Sequence, residues 1–133
     1  MTNYVRNFYG HLHTINTHRR LVRQHCFKAG IPVQGLLHDL SKYHPVEFLA
    51  GVKYFAGDHS PNVEERRNTG YSAAWLHHKG RNRHHFEYWV DIDPETKRYR
   101  AVKMPLRFVV EMFCDRVAAS KIYQGTNYTN EHP

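Results

Sequence analysis

Leu36-Leu37-His38-Asp39-Leu40-Ser41-Lys42 sets a histidine and an aspartate, two strong metal ligands, directly after two leucines. Placed there, the pair falls where a helix is about to turn inward. An ionised carboxylate near a core costs several kcal/mol unless it is paired or metal-bound, so Asp39 calls for a partner. The plain alternative is a solvated pair that ends a helix. The rest of the chain decides between the two.

Outward from that stretch the chain reads as helices. Before it, Val5, Phe8, Leu12, Ile15, Val22 and Cys26 recur at helical spacing over about residues 5–28, and Gly30 and Pro32 stop the run. His11, His18 and His25 lie seven residues apart, on one stripe bordering that apolar face. Pro32 suits the first turn of a second helix that carries Val33, Leu36, Leu37 and Leu40 toward the core. Pro45 opens a third, through Glu47 and Phe48 until Gly57, and Lys42 in the junction lies one turn beyond Asp39.

Ser60-Pro61 has the form of a helix start, with the hydroxyl as cap and the proline at the first helical position. This helix keeps Glu64, Glu65, Arg66 and Arg67 wet, bends near Gly70, and delivers His77-His78-Lys79 before Gly80. Arg81-Asn82-Arg83-His84-His85-Phe86-Glu87-Tyr88-Trp89 follows, dense in imidazole, guanidinium and aromatic groups. Residues 90–103 carry a turn signal at Asp93-Pro94 between short extended runs, so a small hairpin or ordered loop without catalytic groups is expected. Pro105 starts the last helix, on which Asp115 projects with Phe108, Met112, Ala119 and Ile122. The polar tail from Tyr123 to Pro133 reads as loose.

Composition narrows the class. A chain of 133 residues is one domain, 1–133, able to bury a core without disulfide staples. Two distant cysteines and no apolar leader suggest reduced thiols and a cytoplasmic location, and no run approaches the roughly 20 apolar residues of a membrane span. The net charge of +7 favours anionic partners, phosphorylated metabolites or nucleic acid, and leaves a homo-oligomer open. The chain has 12 histidines, eleven of them between His11 and His85, which suggests metal coordination or proton transfer.

A buried aspartate on the last helix and a buried His-Asp pair on the second pose one problem with one solution. A shared divalent ion neutralises Asp39 and Asp115 together, and His38 and His18 complete a mixed nitrogen and oxygen set. Such a set suits zinc, manganese, iron, cobalt or nickel and not calcium. Arg116, adjacent to Asp115, points about 100° away on the helix and is poorly placed to pair with it.

The order His18, His38-Asp39, His77-His78, His84-His85, Asp115 resembles the HD superfamily of metal-dependent phosphohydrolases. The motifs His38 to Tyr43, Trp75 to His78, Asn82 to Trp89 and Val110 to Asp115 are similar to a group of bacterial and phage HD-like domains. The resemblance spans roughly His18 to Ala119. It implies an all-α, HD-like bundle of five to six helices around one or two divalent transition metals. His18, His38, Asp39 and Asp115 would hold the first ion. Asp39 would bridge to a second, held by His78 and His85, with His77 and His84 as the alternatives within each pair. Lys42 resembles the substrate-facing lysine of the HD-GYP branch, but the Gly-Tyr-Pro element of that branch is absent, so activity on cyclic dinucleotides does not follow.

The expected activity is therefore hydrolysis of a nucleotide or other small phosphoester by metal-activated water. Asp39 and Lys42 are the expected catalytic groups, Lys42, Lys79, Arg81 and Arg83 the phosphate-binding ones, and Glu47 or a histidine of the second set a proton shuttle. Two alternatives keep part of this reading: a di-iron oxygenase of the same fold, and a metal-stabilised nucleic-acid-binding module using the Arg81 to Trp89 stretch.

Overall fold

Helix α1 (Tyr4–Lys28) is the spine of the bundle, capped by Asn3, whose side chain accepts from the Arg6 amide at 3.0 Å. Its buried stripe is Asn7, His11, Ile15, His18, Val22 and Cys26. Two histidines thus lie within the stripe rather than at its border, while His25 is half-buried beside Lys121. Val5 and Phe8, expected on the apolar face, are exposed.

The computed structural model describes residues 3–129. Within them α1 is followed by α2 (Pro32–Leu37), a 3₁₀ turn (Leu40–Tyr43), α3 (Pro45–Lys53), α4 (Pro61–Thr69) and α5 (Ala73–Lys79). A second 3₁₀ turn (Phe86–Tyr88) precedes strands β1 (Val90–Ile92) and β2 (Tyr99–Ala101), and α6 (Leu106–Gln124) closes the bundle. The strands pair antiparallel with Val90 opposite Ala101 and Ile92 opposite Tyr99. This is the all-α architecture of six helices and a small hairpin that the sequence led us to expect. Helix α1 packs on α6, α2 and α3, and α3 packs on α4 and α5.

Val22, Cys26, Cys114 and Ala118 form an apolar core between α1 and α6, with Leu21, Ile31 and Val110 against it. Both cysteines are buried free thiols. The apolar core is small because the middle of the bundle is given to imidazoles and carboxylates.

Four expectations about packing are corrected. Val33, Leu36, Leu37 and Leu40 face outward, each 46 % exposed or more. The reason is Gly35: a Cβ there would lie 2.7 Å from Cys26 Cβ, so the glycine face of the short helix seats on α1 and turns the leucines away. The helix from Ser60 does not bend at Gly70 but ends there, with Gly70 at φ 88°, and Ser72 caps a separate α5 through the Trp75 amide. Glu65 is buried, not wet, because it accepts from the Ser72 hydroxyl at 2.5 Å and the Ala74 amide at 3.3 Å. The tail is helical through Gln124 and a further 3₁₀ turn, Gly125–Asn127, while 130–133 lie outside the described residues. Among the described residues no helix is long and apolar enough to cross a membrane.

Candidate metal centre

Asp39 sits where α2 gives way to the 3₁₀ turn, at φ 56° and ψ 25°. That left-handed conformation is uncommon for a residue with a side chain, although aspartate tolerates it better than most. It lets two consecutive side chains, His38 and Asp39, enter one interior, where both are buried to within 2 %. Arg19 of α1 braces the turn, donating to the carbonyls of His38 and Leu36 at 2.9 Å each.

Two groups of side chains converge on the two oxygens of Asp39. In the first, His18 Nε2 and His38 Nε2 each lie 3.3 Å from Oδ2. Asp115 Oδ1 completes it, 2.8 Å from His18 Nε2 and 3.0 Å from His38 Nε2, and the two imidazole nitrogens are 3.3 Å apart. In the second, His84 Nε2 and His78 Nε2 lie 3.2 Å and 3.3 Å from Oδ1, and His85 Nε2 lies 2.9 Å from His78 Nε2. Each group offers four ligand atoms within 4.8 Å of one another.

These residues fit a metal on the structure's own terms. Both Asp39 oxygens and His84 Nε2 are buried without a hydrogen-bond partner, their contacts being close but wrongly angled for one. Buried polar atoms are seldom left so. Around an ion bonded at about 2.1 Å, neighbouring ligand atoms lie about 3.0 Å apart in an octahedron and about 3.4 Å apart in a tetrahedron. The contact distances just given, 2.8–3.3 Å, fall in or next to that range, and the remaining pairs of each group lie within 4.8 Å.

The outer ring nitrogens are held by two further carboxylates. Nδ1 of His38 and Nδ1 of His84 donate to Glu111 Oε2 at 2.7 Å and 2.8 Å. Nδ1 of His78 donates to Glu47 Oε1 at 2.7 Å, and Nδ1 of His77 to Glu47 Oε2 at 2.6 Å. A carboxylate only accepts, so these bonds fix the proton on Nδ1 and, in His38, His84 and His78, free Nε2 to face inward. Asn82 locks the neighbourhood by donating to the His78 carbonyl and the Ser41 hydroxyl, both at 2.8 Å.

The electrostatics follow from this crowding. Burial opposes charge on His38, yet the carboxylates of Asp39, Asp115 and Glu111 outweigh it and hold the imidazole well above its usual range. Burial likewise opposes charge on His84, but Asp39 and Glu111 raise it to about 9. For His85 burial together with the neighbouring His84 and His78 outweighs the pull of Asp115 and Asp39 and takes it down to about 3. Against their own burial, Asp39 and Asp115 are held well below the carboxylate range by the surrounding histidines, and Glu111 goes to about 2.

Beside the two groups lies a cavity of about 200 Å³. Asp39, Asp115, His18, His78 and His85 reach it from the metal side. Ile15, Phe55, Trp75, Ala119 and Ile122 line its apolar wall. Lys42 also enters it, with Nζ 4.0 Å from Asp39 Oδ2 and the side chain about a third exposed. Burial opposes its charge, but Asp39 and Asp115 raise its pKa.

The structure brings His18, His38, Asp39, Asp115, His78 and His85 together as expected, and adds His84, because the turn after Asn82 points both members of that pair inward. His77 stays out, bonded to Glu47 and stacked on His44 at 4.6 Å. Lys79, Arg81 and Arg83 do not line the cavity: Arg81 donates to the His77 carbonyl and Arg83 lies over the Tyr88 ring, both on the outside. Glu47 also lines the cavity and holds the rings of His77 and His78. Glu111 escaped notice in the sequence. Its helical phase with Cys114 and Ala118 was the signal that places it on the buried face of α6.

No curated protein and no solved structure matches the chain. The profile of a family of unknown function, DUF5662, matches residues 7–133, and the chain belongs to that family.

Proposed function

We propose that this protein is a metal-dependent phosphohydrolase of the HD type, holding two divalent transition ions, from among manganese, iron, zinc, cobalt and nickel, and acting on a small phosphoester. The observation that carries the reading is Asp39, whose two buried oxygens lack hydrogen bonds and each face a separate group of imidazole nitrogens. A bridging carboxylate between histidine-rich sets is the pattern of a two-metal site. A divalent ion there would lower the pKa of a bound water toward neutrality and withdraw charge from a phosphoryl oxygen.

The chain's own groups do the remainder. Lys42, at the cavity edge beside Asp39, binds and neutralises the phosphoryl oxygens. The apolar wall of Ile15, Phe55, Trp75 and Ile122 seats the leaving group and limits water. Glu47 and Glu111 hold the ligand rings in place, as outer-shell carboxylates do. The cavity's size and its single lysine support a compact monophosphate ester as substrate; larger ligands occupy roughly 300–1,000 Å³.

Elemental analysis of the purified protein, then a phosphoester panel on wild type and Asp39→Ala, tests this. We expect about two equivalents of transition metal and phosphate release that Asp39→Ala abolishes. Protein that binds no transition metal even on titration would sink the reading. Oxygen uptake by iron-loaded protein without phosphate release would move it to the di-iron oxygenases. Salt-sensitive nucleic-acid binding indifferent to Asp39→Ala would make it a binding module.

A further inference from the structure

We propose that Glu111 is a positioning residue that couples the two metal sites, so that divalent ions load as a pair; this rests on the two-metal reading above. One oxygen, Glu111 Oε2, accepts from His38 Nδ1 of the first group and His84 Nδ1 of the second. The two rings lie against each other, 4.2 Å between centroids and 34° between planes. The other oxygen accepts from Gln34 Nε2 at 2.7 Å, which sets the carboxylate plane from α2. A shift of Glu111 therefore moves one ligand of each site.

Asp39 joins the same two sites from the opposite side, Oδ2 toward the first and Oδ1 toward the second. An ion entering either site orients Asp39 and, through His38 or His84, Glu111. Both adjustments present the second site with ligands already in place, so its ion binds without the ordering cost the first one met. Mutual repulsion of two dications opposes this, and the buried carboxylates answer it. Asp39, Asp115, Glu47 and Glu111 supply four negative charges, which match those of two divalent ions once the ligating imidazoles have given up their protons.

Glu47 provides the internal control. It holds His78 of the second group and His77, which belongs to neither, so it touches one site only.

The experiment is equilibrium dialysis of the full chain against Mn²⁺ with elemental analysis, paired with electron paramagnetic resonance at sub-stoichiometric loading. Wild type should fill in a single cooperative step and show exchange-coupled Mn²⁺ pairs even when half loaded. Glu111→Gln should weaken both sites by about 10- to 100-fold and give the six-line signal of isolated Mn²⁺, whereas Glu47→Gln should lower the affinity of the joint step and keep the exchange-coupled signal. Circular dichroism checks the fold of each variant. Should Glu111→Gln not fold, Gln34→Ala, which frees the same carboxylate without removing it, should loosen both sites in equal proportion. Isolated Mn²⁺ in half-loaded wild type, or a Glu111→Gln or Gln34→Ala effect confined to one site, overturns the coupling and leaves the two-metal reading standing. Wild type that binds no ion overturns both.

Discussion

Acidification should destabilise the metal-free protein through His11. This ring is buried in α1, lines the cavity, and has Nδ1 without a partner. Burial, with a smaller push from the Lys42 ammonium, pulls its pKa from 6.5 down to about 4. Between those values the unfolded chain carries the proton and the folded chain does not. Stability is therefore complete above pH 6.5 and is lost as the pH falls toward 4. Worked through linkage, the loss on going from about pH 7.5 to about pH 4.5 is about 2.5 kcal/mol from this group. Urea unfolding at both pH values, with metal removed by a chelator, measures it. Other groups titrate too, so the quantity of interest is the difference between wild type and His11→Gln. Wild type should lose about 2.5 kcal/mol more than the variant over the interval. Equal losses would refute the reasoning.

The remaining predictions concern the cavity and its surroundings. Lys42→Ala should keep its full metal content while kcat/KM on a phosphomonoester falls about 100-fold or more; an unchanged kcat/KM removes Lys42 from the substrate side. Replacing Lys79, Arg81 and Arg83 together by alanine should leave kcat/KM within about twofold, since none lines the cavity. Gly51→Ala drives a methyl group into the His11 ring. Overpacking of about 1–3 kcal/mol, less about 1 kcal/mol of helix propensity, should lower stability by about 1 kcal/mol and the melting temperature by a few degrees.

The helices and hairpin were legible because their signals are local. Prolines at first turns, serine caps and the turn at Asp93-Pro94 mark element ends without reference to anything distant. The ligand set was legible in part, because His38-Asp39 and Asp115 raise a buried-charge problem that helical phase alone exposes. What stayed hidden depends on pairs of elements. Only the approach of α2 to Cys26 through Gly35 shows that the leucines of that helix face outward. Glu111 reads as an ordinary helix glutamate until His38 and His84 are seen to share its oxygen. The basic side chains near the second histidine pair looked like a phosphate cradle by proximity in sequence, yet the turn that points His84 and His85 inward leaves Arg81 and Arg83 outside.

The left-handed backbone at Asp39 sets folding against use at a single position. A glycine there would relieve about 1 kcal/mol or more of conformational cost while deleting the carboxylate both ligand groups face. A library screened for thermal robustness alone, under chelating conditions, should enrich glycine or asparagine at this position. One screened with metal present should keep aspartate. The residue preferred under each regime thus reports what the backbone kink is kept for.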